Sequence, residues 1–263
     1  MLSRLTRLQA LVLCALPVLA LLGVAVFAPL PFSVAQPGLT ADVLGRNQGA
    51  QVITIKGAPT RKTDGQLRMT TIEATSPDAR VSLSDVLGNW FRTDRAVMPR
   101  DAVYPSGDDV QEIEDYNKKQ MTESQDAATT AALDYLKLDP ADVDVSLRLE
   151  DVGGPSAGLL FSLGIVDKLG GDGSGGDLTG GRVVAGTGTI DGKGAVGAVG
   201  GVPLKTKAAR RDGATVFLVP RAECSDARTE LPKGLRLIPV TTLKGAVDSL
   251  RALESGKGAI PSC

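Results

Sequence analysis

Apolar and polar positions follow three patterns along this chain, and each pattern predicts a different kind of element. Residues Leu8 to Leu30 are apolar except for Gln9, a run long enough to cross a bilayer core as one helix. Alternation takes over further on. Gln51 to Lys56 (QVITIK) and Gln66 to Ala74 (QLRMTTIEA) each predict a strand, paired as a hairpin across the Thr63-Asp64-Gly65 turn signal. Ser82 to Phe91 (SLSDVLGNWF) has the spacing of a capped amphipathic helix, with Trp90 expected in a core. Asp101 to Gly107 reads as a loop and Asp108 to Leu136 as a helix with clustered alanines. Val143, Val145, Leu147 and Leu149 then alternate with polar residues, a half-buried strand that runs into Gly153-Gly154-Pro155.

Beyond that turn the periodicity is helical again. Ser156 precedes AGLLFSLGIVDKL, whose apolar residues recur at helical spacing. Asp172 to Asp177 (DGSGGD) reads as a surface loop, Arg182 to Ile190 (RVVAGTGTI) as a strand containing Thr187. LKTKAARRDG predicts a helix ended by Gly213, and Ala214 to Val219 a further strand. Gly192 to Gly197 matches G-x-G-x-x-G, but GAVGGVP follows where a dinucleotide site needs a helix to open. Gly192-Lys193 also lacks the upstream glycine and the following serine or threonine of a Walker A loop, so no nucleotide-driven motor is encoded.

Composition narrows the chemistry. The 263 residues are 43% hydrophobic, enough for a packed core, and a net charge of -1 with 22% charged residues argues against a nucleic-acid partner. There is no histidine, which removes Ser-His-Asp and Cys-His catalysis and most histidine-bearing metal sites. A nucleophile here needs lysine or a carboxylate as its base. Arg4 and Arg7 precede the apolar run, and no basic residue follows until Arg46, which predicts a cytoplasmic N-terminus and export of everything after Pro31. A cleaved signal peptide, with Ser33-Val34-Ala35 as its processing site, is the competing reading and exports the same segment. Cys14 lies within the apolar run. Cys224 and Cys263 remain, as a disulfide in an oxidising compartment or as two independent thiols.

Ser156 sits at or near a helix N-terminus, where free amides and the positive dipole end stabilise an oxyanion; an ordinary N-cap is the alternative. Lys205 lies near the start of the next helix. Burial among apolar residues and the dipole would both disfavour its ammonium form, so that a neutral lysine can take the Ser156 proton; a solvated lysine is the alternative, and Lys207, Arg210 and Arg211 are read that way.

GGPSAG with its apolar helix, followed by AGTGTIDGKGAVGAVGGVPLKTKAA, resembles the proteolytic domain of Lon proteases from about Val143 to Val240. The anchor, MTESQDAATTAAL and the closing cysteine are similar to the membrane-anchored, ATP-independent Lon-like proteins of actinobacteria. The resemblance implies Ser156 as nucleophile, Lys205, four residues after Gly201, as its partner in a Ser-Lys dyad, and Thr187 as the lysine's support. Backbone amides near Gly154 and Ser156 would bind the oxyanion. It implies an α+β fold of mixed small sheets and packed helices behind one N-terminal transmembrane helix. The expected division is 1–32 for the tip and anchor, 33–120 for an extracytoplasmic α/β region, and 121–263 for the proteolytic domain. No cofactor or metal is expected. The partners implied are unfolded or flexible peptides, the membrane and, by family analogy, further copies in a hexameric ring. In three respects the sequence departs from the family. Gly153 replaces the acidic residue of ATP-dependent members, Leu138 to Val143 leaves no room for a PDZ domain, and the glycine loop lengthens the Ser156–Lys205 spacing. The alternative is a catalytically idle module that binds peptides or assembles at the membrane.

Overall fold

The computed structural model describes residues 6–106, 109–149 and 154–263, so Arg4, Asp108 and Gly153 lie outside the described residues. Helix α1 (Arg7–Phe27) carries Pro17 inside it and has no buried residue. Strand β1 (Phe32–Asp42) is followed by a tight hairpin of β2 (Arg46–Asn47) and β3 (Ala50–Gln51). Its two central residues, Gln48 and Gly49, both take positive φ, the geometry that matches strand twist in a two-residue turn. Strands β4 (Ile53–Lys56) and β5 (Gln66–Ala74) come next, then α2 (Leu83–Trp90), capped by Ser82 and Asp85 in a reciprocal capping box. After β6 (Ala96–Pro99) and α3 (Arg100–Val103), α4 (Val110–Leu136) starts on an Asp109 cap and ends at Lys137 in the left-handed conformation. The rest comprises β7 (Asp144–Leu147), α5 (Gly158–Leu169), β8 (Val183–Gly186), β9 (Thr189–Ile190), β10 (Val196–Gly197), α6 (Val202–Arg211), β11 (Val216–Pro220), α7 (Cys224–Arg228), β12 (Arg236–Val240) and α8 (Leu243–Ser255).

The chain forms two compact units, 1–35 with 74–105, and 36–73 with 106–263; the expected boundary at 120/121 falls inside α4. In the smaller unit, Phe32 to Ala35 of β1 pair antiparallel with Pro99 to Ala96 of β6. Leu30 bridges to Val81, and Val34, Val81 and Val86 make a small core with Leu30, Phe32 and Val97 around them. Two expectations are corrected here. Residues 101–107 are not all loop, because α3 occupies Arg100–Val103. Trp90 is not a core residue: it is 63% exposed, and Val86 is the side chain that α2 buries.

In the larger unit the main sheet runs in the order β12-β11-β8-β5-β1, with β12, β11, β8 and β5 mutually parallel. Successive side chains of a strand point to opposite faces, and here both faces are covered. Val216 and Leu218 of β11 join one core with Leu159, Leu163 and Val247 of α5 and α8. Phe217 and Val219 join the other with Val202 and Ala209 of α6. The expected β4–β5 hairpin does not form. β4 pairs instead with β7, Ile53 opposite Leu147 through Lys56 opposite Asp144, while β5 lies between β8 and β1. The cause is burial. Leu67, Met69 and Thr70 of β5 are all buried and need a central place, whereas β4 buries only Ile53. Gly57 lets the chain leave β4 against the start of β7: its φ is +87°, and a Cβ there would overlap the Asp142 carbonyl oxygen. Cys224 and Cys263 are joined by a disulfide, and Cys14 is free and exposed.

Candidate active site

The turn that carries Ser156 is held from two sides, by α4 and by the sheet. Pro155–Ala157 forms one turn of 3-10 helix directly before α5, entered through Gly154 at φ +85°. The Ser124 hydroxyl of α4 donates to the Pro155 carbonyl at 3.0 Å, and the Gly154 amide reaches the Asn117 carbonyl at 3.4 Å. From the sheet side, the Gly188 amide donates to the Ser156 carbonyl at 3.0 Å, and the Leu159 amide donates back to the Gly188 carbonyl at 3.1 Å. Ser156 is therefore not the cap of the helix it precedes, and no side chain fills that role. Its hydroxyl makes no hydrogen bond among the described residues, on a half-buried side chain.

Thr187 departs from the strand expected over 182–190. β8 stops at Gly186 and β9 starts at Thr189. Between them Thr187 keeps its amide on the Leu218 carbonyl at 3.1 Å while its hydroxyl turns to the Ser156 carbonyl at 3.3 Å. The strand breaks where these two residues engage the serine turn. Thr187 is wholly buried.

Lys205 reaches the same point from the opposite face of the sheet. It is the fourth residue of α6, only 4% exposed, and its Nζ donates to the Thr187 Oγ1 at 3.1 Å. Ser156, Thr187 and Lys205 thus fall on one hydrogen-bond chain. Burial pushes the Lys205 ammonium down to about 8, against the opposing pull of the Glu223 carboxylate. At neutral to mildly alkaline pH an appreciable share of Lys205 is then the free amine, which can accept a proton. Lys207 pairs with Glu230, Arg210 donates to the Lys233 carbonyl and Arg211 pairs with Asp212; all three stand apart from this chain.

Residues 120–250 match the Lon protease (S16) C-terminal proteolytic domain. This segment is a Lon-type serine protease domain. A comparison with curated proteins found no match. The Lon-type domain spans Ser124, Ser156, Thr187 and Lys205, so every group of the chain just described belongs to it. Its mixed α and β architecture is the fold that the resemblance implies. The sheet beneath the domain borrows more than the match covers, since β1 and β5 come from earlier in the sequence.

Two contributors escaped sequence reasoning. Ser124 is a polar residue in the apolar stripe Met121, Ser124, Ala128, Ala131 of α4, and that break in the stripe was its visible signal. Glu223 gave none, because its relation to Lys205 arises only when the chain folds. Among the described residues, no three of His, Cys, Asp or Glu come together to hold a metal ion. Asp172 closes its own loop, taking the Ser174 and Gly176 amides at 2.8 Å each.

Proposed function

We propose that this protein is a membrane-anchored, ATP-independent serine endopeptidase that cuts unfolded or flexible peptides outside the cytoplasm, with Ser156 and Lys205 as its dyad. The observation that carries this reading is the buried lysine bound to Thr187, whose hydroxyl rests on the carbonyl of the serine itself, within a Lon-type domain. Neutral Lys205 takes the Ser156 proton as the Oγ attacks the scissile carbonyl carbon. Backbone amides of the Ser156 turn bind the developing oxyanion. The Gly154 amide donates to the Asn117 carbonyl and is not one of them; Gly154 instead supplies the positive φ that admits the turn. The intermediate collapses with cleavage of the C–N bond, and the Lys205 ammonium returns the proton to the leaving amine. A water molecule, deprotonated by Lys205, then attacks the acyl ester; the C–O bond to Ser156 breaks, the Lys205 ammonium returns the proton to the Ser156 Oγ, and the new carboxyl group leaves as its carboxylate.

An uncleaved anchor is favoured over a signal peptide by the smaller unit. Cleavage after Ala35 would remove the Leu30–Val81 bridge and the four β1 residues that pair with β6, Val34 and Ala35 being buried there. The direction of α1, cytoplasmic end first, follows from the arginine bias. Assembly into a ring of copies belongs to the same reading.

The test is hydrolysis of casein and of a peptide library by the detergent-purified full chain. Wild type is expected to cleave, while Ser156→Ala and Lys205→Ala lose activity by several orders of magnitude. Activity surviving both substitutions would sink the dyad; a folded wild type with no activity on any substrate would instead favour an idle peptide-binding module. For the wild type, kcat/KM should rise with pH and level off above about 8, because only the free amine of Lys205 is competent.

A further inference from the structure

The chain has one tryptophan, and it lies in the wrong place for a core residue. Of the tryptophan and five phenylalanines, Phe161 and Phe217 are wholly buried in the larger unit. The three that stand exposed, Phe27 at 85%, Trp90 at 63% and Phe91 at 85%, all belong to the smaller unit. Leu87, 54% exposed, precedes Trp90 by three positions and the C-cap residue Phe91 by four, so these side chains form one stripe along α2 and its C-terminal cap. Val86, on the flank of the helix beside this stripe, packs into the small core with Val34 and Val81. More than half of each of Leu87, Trp90 and Phe91 is exposed.

The position of α2 relative to α1 is fixed inside that unit. Helix α1 has 21 residues, about the thickness of a bilayer core at the usual helical rise. It ends at Phe27, and only three residues later the Leu30 amide donates to the Val81 carbonyl at 2.8 Å. The next residue after Val81 is Ser82, the cap of α2. A helix tied this closely to the end of a membrane span stands at the level where hydrocarbon gives way to headgroups. Tryptophan and phenylalanine, with an apolar body and in tryptophan a polar N–H, are the side chains suited to that level.

We propose that α2 is a second membrane contact, whose Leu87, Trp90 and Phe91 lie in the headgroup boundary of the bilayer that α1 crosses. This rests on the anchor reading given above. The occupant is lipid rather than a protein partner, because α1, apolar and without a buried residue, ends at Phe27, and the Leu30–Val81 bridge three residues later seats α2 at that end of the span. From Ser82 to Pro99 the charges are Asp85, Arg92, Asp94 and Arg95, and Arg92 is closed on Asp94. The segment is balanced, so its insertion is apolar and independent of anionic lipid.

Because Trp90 is the only tryptophan, its fluorescence reports on α2 alone. The full chain is reconstituted into vesicles of phosphatidylcholine, with and without phosphatidylglycerol, with acyl chains brominated near the headgroup, and the vesicles are floated on a density gradient. The expected result is protein in the floating fraction, blue-shifted Trp90 emission quenched several-fold by bromolipid in both lipid mixtures, and little quenching by aqueous iodide. The variant Leu87→Asp with Phe91→Asp, both at exposed positions, should still float through α1 but lose most of the bromolipid quenching. Protein that floats with Trp90 open to iodide and untouched by bromolipid overturns the proposal and leaves the anchor standing. Trp90 shielded from both quenchers overturns it too, and means that protein covers the stripe. Protein that fails to float overturns the anchor reading and this proposal with it.

Discussion

The Thr187 hydroxyl has a single proton, and that proton goes to the Ser156 carbonyl, so toward Lys205 it can only accept. Lys205 therefore spends one N–H on Thr187 and keeps its lone pair, once neutral, for another proton. Thr187→Val has nearly the same shape, keeps the site apolar and removes both bonds. A hydrogen bond to such a group is worth roughly 1.5–3 kcal/mol, so kcat should fall about 10- to 100-fold with KM little changed, and Thr187→Ser should recover most of it. Steady-state kinetics of the three proteins check this, and equal rates for valine and threonine would remove Thr187 from the site. The sequence named Ser156, Thr187 and Lys205 through spaced motifs, but spacing could not say that the threonine would touch the serine through its carbonyl. A second prediction at this scale concerns Asp167, wholly buried at the end of α5. One oxygen accepts the Leu178 amide at 2.8 Å and the other has no partner among the described residues. Burial, with the Asp177 carboxylate adding to it, raises its pKa from 3.8 to about 6. Between those values the folded protein holds a proton that the unfolded chain has released. Stability therefore falls as pH rises through that window, by up to ~3 kcal/mol. Asp167→Asn keeps an acceptor for Leu178 and cannot ionise. Its melting temperature should exceed wild type at about pH 7.5 and match it at about pH 4, whereas an equal difference at both would show that the carboxylate's ionisation is not the cause.

At the scale of elements, α6 is the one whose placement decides the chemistry, and its start is a glycine. Gly201 has φ +69°, and its carbonyl accepts both the Leu204 and the Lys205 amides at 3.1 Å, so the lysine's own backbone hangs from it. A Cβ there would meet Ile72 Cγ2 at 2.7 Å. Gly213, just past the other end of the helix, has φ +89° but open space where a Cβ would go. Both Gly→Ala changes put alanine in the left-handed region, a cost of about 1–2 kcal/mol each. Melting temperatures should therefore drop in both, while peptidase activity falls only in Gly201→Ala, where the first turn of α6 must shift. Equal loss of activity in the two would mean that general stability, not the seat of Lys205, is being read. This helix was legible as an element because its apolar spacing and terminal glycine are local. The partner of β4 was not. Alternation in QVITIK fixes which side chains face inward but carries no information on which strand lies alongside, and the burial that reserves the centre of the sheet for β5 is decided by residues far away in sequence. Trp90 was misread for a related reason, since helical spacing shows that α2 has an apolar stripe without showing whether protein covers it.

For the molecule as a whole, the sequence divides naturally into consecutive blocks, but the folded chain leaves its smaller unit at Ala35 and returns to it at Ala74. Such interleaving comes from long-range pairing and has no local mark. The cross-link between Cys224 and Cys263 acts at the same scale. It joins residues 39 apart, ties the tail after α8 back to α7, and packs both cysteines against the core formed by Val202, Ala209 and Phe217. That core is the floor of α6 and hence of Lys205. Closing a loop of this length restricts the unfolded chain by about 4 kcal/mol on the chain-entropy account. In a unit of this size the loss corresponds to a fall of about 10 °C in melting temperature. The paired change Cys224→Ser with Cys263→Ser should show that fall, and reductant should produce it in the wild type but add nothing in the variant. Activity at low temperature should survive in both, because neither sulfur lies on the chain from Lys205 to Ser156. A chain folded where thiols are kept reduced would reach its active shape at a stability several kcal/mol below that of the cross-linked form, and oxidation afterwards should raise its melting temperature to the cross-linked value. A reduced protein that melts with the oxidised one would show that the core beneath α6 holds without the bond.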